Sequence, residues 1–530
     1  MSRHRPLGQP PLDRQVQLLV QRPRFIALRC TLLALGAASQ AAAALDLRDG
    51  RTLNITPTLE VSETYTDGTA RTGSSSGSAG ARVGGEFATR ISPGISISSR
   101  SGRVQGNIDY SLSATQYSAQ SQAQSVQNTL NASLTAEAIE RLLYIDARAN
   151  IARQAISPFG QQSAAGSLRD NSNRTEVSTL SISPYVRRSV GGWAEFEGRL
   201  TAGATKARGQ SSPDSNQVTG SVSLASAASG SRFGWTLNGV GQRVKFGQGQ
   251  ATDSNRVNGR VTLRPDYDLR LSLGAGYEST NVGGTSKRNT TNWGGGLRWT
   301  PTERSVFEAD MDRRYFGRSF RVVAEHRTPR TVWRFADTRD VTSGSDANGV
   351  GQPVTLYQLY YALFASSVPD PGARDQFVRD FLRLLGRDGG EFVSGGFLGS
   401  AVTVQRRQDL SFAWAGLRTS FSLQAFGSDT RQIDGPGGTL SADRTRQYGY
   451  SGTLSHRLTP LSAVNLTGAE QKTLGLGARG GNDLKSLSLG WSTQLGQRTS
   501  LGLTARYAVF NSAIDPYREA SIAASLSQRF

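Results

Sequence analysis

Several ingredients of a soluble enzyme or a helical membrane protein are scarce in this chain. It holds one cysteine, Cys30, and three histidines. Cys30 falls within an expected cleaved leader, so disulfides, thiolate metal sites and thiol nucleophiles are excluded from the remainder. Two histidines are left there, His326 and His456, too few for a metal cluster. No run of about 18 apolar residues follows the first 45 positions, which excludes a bilayer-spanning helix there. Only 37% of residues are hydrophobic. Neither a metal nor a cofactor is expected.

Positive charge is plentiful and is carried by arginine. Only five of the 60 cationic residues are lysine, and the chain is +19 overall. Such a balance can mark nucleic-acid binding. Here the arginines recur singly through alternating segments instead of forming one patch, so nucleic acid is not an expected partner.

The N-terminus has a different texture. Arg22 and Arg24 precede Phe25-Ile26-Ala27-Leu28 and then Thr31-Leu32-Leu33-Ala34-Leu35, and the stretch ends in Ala41-Ala42-Ala43-Ala44. That is the basic, apolar and small-residue succession of a secretory signal, interrupted only by Arg29. Residues 1–44 are expected to be removed after Ala44 or Ala43. Leu28-Arg29 before Cys30 does not make a lipoprotein box, so no lipid anchor is expected.

From residue 53 the dominant period is two. Leu53, Ile55, Leu59 and Val61 alternate with polar residues; so do Ile91, Ile95 and Ile97, and then Ile108, Tyr110 and Leu112. The same pattern returns at Leu143, Ile145 and Ala147, and far downstream at Leu487, Leu489 and Trp491 and at Leu501, Leu503, Ala505 and Tyr507. Each run is about 10 residues long, the length a tilted strand needs to cross a hydrocarbon core.

Connections of two kinds separate the runs. Short ones include 100–103, 190–192, 264–267, 328–330, 416–418 and 496–498. Longer Gly/Ser/Asn/Asp-rich ones lie near 67–84, 155–173, 207–216, 247–255, 281–290, 428–443, 474–483 and 512–517, with one short tip at 317–318. Short inner turns alternating with long outer loops are the asymmetry of outer-membrane barrels. The expected fold is all-β: a transmembrane antiparallel β-barrel over 45–530, with about 22 strands in a range of about 18–24. Gram-negative outer-membrane lipid is its expected surroundings.

One interval reads as helix. Leu356, Leu359, Tyr360 and Leu363 recur at helical spacing, and after Pro371 so do Phe377, Val378, Phe381, Leu382 and Leu385. A two-helix insertion is therefore expected within 354–386. Parity attaches it to the outer side, where it can fold into the lumen or cap the mouth.

A charge at the lipid midplane costs about 2–4 kcal/mol, so the polar face of each strand belongs inside. Arg256, Arg260 and Arg264 share one such face opposite Val257, Val261 and Leu263. Glu308, Asp310, Asp312 and Arg314 share another opposite Phe307, Ala309 and Met311. These seven are the candidate lumen-lining residues. Phe530, an aromatic residue closing the alternating run Ile522, Ala524 and Leu526, is the candidate signal for the outer-membrane barrel assembly machinery.

Catalytic motifs are weak. Residues 475–480 spell G-x-G-x-x-G without a strand–helix unit, and 73–77 spell G-x-S-x-G without a following helix. His326 and His456 each precede a Thr-Pro turn and read as interfacial structural residues. The chain is not expected to be an enzyme. A TonB-type receptor fits the strand number, but strands starting at 53 leave no space for an N-terminal plug domain.

The stretch from Ile55 to Asp67 resembles the opening of the PEP-CTERM (exosortase) system-associated outer-membrane proteins, as do Ser92-Pro93-Gly94-Ile95, Asp109-Tyr110-Ser111-Leu112 and 145–149. The block from His326 to Trp333 resembles that family's mid-chain block, with the helical insertion following at the same place. The resemblance implies a setting of exosortase sorting and of exopolysaccharide or biofilm production, and it supplies no catalytic motif. On that basis the expected function is a pore or export channel, with exopolysaccharide or its secretion apparatus as partner. The alternative is a non-conducting scaffold for surface proteins or matrix.

Overall fold

The computed structural model describes residues 53–530 apart from 68–84, 101, 119–124, 169–171, 209–213, 228–231, 248–250, 285, 344–355, 365–373, 375–377, 379–400, 436–438, 476–479 and 514–515. The expected leader, the 73–77 motif and most of the 475–480 motif lie outside the described residues.

Twenty-two antiparallel strands follow in chain order. The first eleven are β1 (Leu53–Asp67), β2 (Glu86–Arg100), β3 (Val104–Tyr117), β4 (Ser125–Ile139), β5 (Leu143–Ala155), β6 (Arg174–Val190), β7 (Ala194–Ala207), β8 (Ser215–Ser226), β9 (Phe233–Phe246), β10 (Thr252–Leu263) and β11 (Leu269–Thr280). The rest are β12 (Arg288–Thr302), β13 (Ser305–Arg314), β14 (Gly317–Arg327), β15 (Thr331–Ser343), β16 (Val402–Ala415), β17 (Thr419–Gly435), β18 (Thr439–Thr459), β19 (Ser462–Leu474), β20 (Asn482–Gln494), β21 (Thr499–Ser512) and β22 (Tyr517–Arg529). Among the described residues, the helix α1 (Leu356–Leu363) lies between β15 and β16.

Each strand pairs with its neighbours in sequence, and β22 pairs with β1 from Thr58↔Arg529 to Asp67↔Ala520. The Phe530 N–H donates to Pro57 O at 3.0 Å at the same seam. The sheet therefore closes on itself and has no free edge. Closure is what lets a sheet cross lipid, where no water can satisfy an unpaired N–H or C=O.

The two faces are unambiguous. Leu180, Leu200, Val222, Val257, Val261, Leu273, Trp293, Leu487, Ile522 and Leu526 are all exposed although apolar, and cross-strand pairing puts them on one face. A continuous apolar band on the outer face of a closed barrel is a lipid-facing surface. Aromatic residues fringe it at both levels. Tyr65, Phe87, Tyr277, Trp293, Tyr448, Tyr450 and Tyr507 lie toward the long connections, and Trp235, Trp299, Trp333 and Trp491 toward the short ones. The protein is thus a transmembrane barrel of the Gram-negative outer membrane, with short turns on the periplasmic side.

The turns fall where the residues dictate. Gly191 and Gly192 take φ of 57° and 73° between β6 and β7, a conformation that other residues rarely adopt. His326 and His456 sit beside periplasmic turns, their Nδ1 atoms 2.8 Å from Ser305 Oγ and Thr419 Oγ1.

Two sequence expectations need correction. The expected long loop at 428–443 is mostly strand: β17 and β18 continue to Gly435 and from Thr439, pairing through Arg431↔Arg444 and Ile433↔Leu440. Its polar composition reads as loop, but beyond the lipid a ladder needs no apolar face. The short tip expected at 317–318 lies at Tyr315–Phe316 instead, because Gly317 already pairs with Arg314.

Candidate functional site: the barrel lumen

The inward face of β10–β13 carries charge. On β10, Arg256 and Arg260 alternate with lipid-facing Val257 and Val261; on β13, Asp310, Asp312 and Arg314 alternate with Met311. Arg260 Nη1 lies 2.7 Å from Asp310 Oδ1, and its Nη2 lies 3.2 Å from Asp312 Oδ1. These partners sit three strands apart. The guanidinium gets there because the intervening luminal positions are glycines, Gly274 on β11 and Gly294 and Gly296 on β12. A Cβ at Gly296 would stand 2.2 Å from Asp310 Oδ1 and 3.1 Å from Arg260 Nη1.

Arg314 forms the second node. Its Nη2 is 2.5 Å from Glu278 Oε1, and its Nη1 is 2.5 Å from Asp340 Oδ1. The Glu278 side chain is fully buried. A buried carboxylate persists only when paired and hydrogen-bonded, and Arg314 supplies both. A cavity of about 160 Å³ opens beside it, lined by Gln242, Ser254, Arg256, Val282, Arg314 and Tyr315 among others.

Of the seven residues expected in the lumen, Arg260, Asp310, Asp312 and Arg314 are held in these ion pairs and Arg256 lines the adjoining cavity. Two stand apart. Glu308 pairs with Arg298 on β12. Arg264 lies at the periplasmic end of β10, where its N–H donates to Arg232 O. Sequence reading missed Glu278 and Asp340, and also Arg407 and Asp409 on β16, whose ion pair measures 2.7 Å. Arg407 and Asp409 are neighbours on one face of β16, so their pairing was within local reach; the register that brings Glu278 and Asp340 to Arg314 was not.

Two segments narrow the lumen. The connection after β5 folds inward over the wall formed by β20–β22 and β3. Asn482 Nδ2 donates to Pro158 O at 2.9 Å, Tyr517 OH to Gln162 O at 2.8 Å, and Tyr117 OH to Leu168 O at 2.6 Å. Arg506 donates to Ala165 O at 2.9 Å and pairs with Glu519 at 2.7 Å, and Glu519 also accepts from Ser167 Oγ at 2.7 Å. Asn173 braces the base, accepting from Ser157 N and donating to Ser157 O and Gln161 O.

The second segment is α1. Its Tyr360 and Leu363 are buried with Val378 against Val332 and Ala413. Val332 and Ala413 pair with each other near the periplasmic ends of β15 and β16, and they face away from lipid-facing Trp333 and Phe412. The helix therefore lies inside the barrel near its inner end, although the connection carrying it leaves from the outer end. Of the two placements that the sequence leaves open, α1 takes the luminal one. The second expected helix, apart from Arg374 and Val378, lies outside the described residues.

No family model matches the chain, and no curated protein sequence matches it. Solved structures similar to it include the FrpB iron transporter of Neisseria meningitidis, at 8% identity over 89% of this chain and 82% of that one, with a TM-score of 0.47. The siderophore receptor PirA of Acinetobacter baumannii is similar at 8% identity, 89% and 80% coverage and a TM-score of 0.44. The outer membrane protein opdK of Pseudomonas aeruginosa is similar at 8% identity, 90% and 99% coverage and a TM-score of 0.34.

Proposed function

We propose that this barrel is a channel for polar, anionic solutes, acting in export of exopolysaccharide in an exosortase-associated system. The observation that carries the reading is a luminal wall of ordered charge, with Arg256 and Arg314 bordering one cavity. Arginine held by fixed carboxylates offers donors to passing hydroxyl and carboxylate groups without collapsing onto them. A barrel of about 22 strands is wide enough to need internal obstruction, and two inward segments supply it. The sugar polymer and its secretion apparatus enter this reading from the sequence resemblance. We read the chain as non-enzymatic; a lipid or ester hydrolase assay on purified protein tests that. Phe530 is read as the residue that the barrel assembly machinery recognises.

Purified protein in planar bilayers is expected to conduct with anion preference, and a deletion strain to lose polymer secretion. Silence at all voltages together with unchanged secretion overturns the channel. One observation favours a second reading, a closed scaffold barrel: α1 is seated at the inner end of the lumen. Under that reading the intact protein is silent, and replacing 344–401 with a short turn opens conductance.

A further inference from the structure

The periplasmic end of the barrel repeats one arrangement four times. Arg264 N–H donates to Arg232 O at 2.8 Å, Arg327 to Arg304 at 2.8 Å, Arg457 to Arg418 at 2.8 Å and Arg529 to Arg498 at 2.9 Å. Each bond is the last rung of a ladder, on β9–β10, β13–β14, β17–β18 and β21–β22 in turn, so the two arginines of a pair stand opposite each other. The pairs recur at every fourth strand, about 20 Å apart along the sheet. The rung one step into the membrane lies on the lipid side. It consists of Phe233 and Leu263, both exposed, then of Ser305 and His326, Thr419 and His456, and Thr499 and Gln528. His326 stands opposite lipid-facing Trp333, and exposed Leu454 and Leu526 continue the outward rows of His456 and Gln528. Successive side chains point to opposite faces of a strand. The arginine rung therefore turns to the lumen, at its periplasmic mouth.

Like charges directly opposite each other repel, and the protein does little to balance these. Arg232, Arg304, Arg418 and Arg498 are exposed, with no carboxylate within ion-pair distance among the described residues. Their partners Arg264, Arg327, Arg457 and Arg529 are half-buried. Arg327 lies 3.6 Å from Glu325 and donates to Glu303 O at 3.1 Å, and Arg457 donates to Leu417 O. Arg264 Nε is buried without an acceptor. Each pair thus joins an exposed guanidinium to one nearer the wall.

We propose that the four pairs form a cationic collar that captures a linear polyanion, an acidic polysaccharide chain, as it enters from the periplasm. A carboxylate has lone pairs enough to accept from two guanidiniums at once, and doing so relieves the repulsion within the pair. A single sugar acid engages one pair. A chain can reach several, and each further contact is intramolecular. The collar rests on the reading of the lumen as a passage for anions, and it narrows that reading to a polymer taken up at the inner side.

The test is binding of a labelled long oligogalacturonate to the full barrel in neutral detergent, compared with galacturonate monomer and with a neutral malto-oligosaccharide of equal length. The oligomer is expected to bind about 100-fold more tightly than the monomer at equal carboxylate concentration, and the neutral chain not at all. Arg232→Gln, Arg304→Gln, Arg418→Gln and Arg498→Gln together should weaken oligomer binding about tenfold. Arg103→Gln, at the same place in its own turn but opposite Glu137, should leave it unchanged. Equal binding of oligomer and monomer, equal binding of the neutral chain, or an unaffected quadruple variant overturns the collar. The comparison of ligands uses the wild-type chain, so it decides the matter even if the variant does not assemble. Conductance separates the collar from the channel reading. A silent barrel that retains the oligomer keeps the collar and loses the channel, and a conducting barrel that does not retain it does the reverse.

Discussion

Arg260 on β10 meets Asp310 on β13 at 2.7 Å by lying across Gly296, where a Cβ would stand 2.2 Å from Asp310 Oδ1 and 3.1 Å from Arg260 Nη1. Gly296→Val fills that space and separates the pair. Both side chains are partly exposed, so the stability loss is about 1 kcal/mol. The larger expected change is in ion preference, because the guanidinium is released into the lumen. Reversal-potential measurements in a salt gradient check this, with Arg260→Gln as the reference. A Gly296→Val barrel with wild-type selectivity would refute the placement.

Arg314 is expected to matter most for stability. Arg314→Ala leaves the fully buried Glu278 without its guanidinium, at a cost of about 3–5 kcal/mol. The temperature at which the folded band disappears on a heat-modifiability gel should drop markedly. Adding Glu278→Gln to Arg314→Ala should restore much of the loss, since the uncompensated charge is gone. No recovery would mean that packing around Arg314, and not its charge, dominates.

Arg506 and Glu519 join Asn482, Tyr517 and Tyr117 in holding the inward connection after β5. Arg506→Ala removes the donor to Ala165 O and the partner of Glu519 together. Single-channel conductance should rise and become noisier as the segment leaves the wall, with little change in assembly. A conductance equal to wild type would show that this segment does not restrict flow.

Tyr360 and Leu363 are the fully buried side chains of α1 among the described residues. Tyr360→Ala with Leu363→Ala removes its buried contacts with Val332 and Ala413. Each large-to-small change at a buried site costs about 2–5 kcal/mol locally, enough to unseat so short a helix. Conductance of this variant separates the two functional readings: a modest rise fits an open channel with a constriction, and a change from silent to conducting fits a closed barrel. Identical silence in both proteins would count against obstruction by α1.

Much of the architecture was legible in the chain. The period-two runs foretold the lipid-facing positions, such as Val257, Val261 and Met311, and the even strand count followed from the short and long connections. Those features are local: a strand's faces alternate by backbone geometry, and lipid admits only the apolar one. The polar hairpin at 428–443 was misread because, above the membrane, composition no longer reports pairing.

The interior is where the sequence stopped deciding. Arg260 and Asp310 are 50 positions apart, and nothing local says that register sets Gly274, Gly294 and Gly296 between them. Nor does composition say that 156–168 turns inward to Arg506, or that α1 descends to Val332. The alternation of residues determined which side chains face the lumen, because solvent partition acts on each strand separately. Only the closed sheet decided which of them meet, because contact across a barrel depends on register, curvature and the few positions without a side chain.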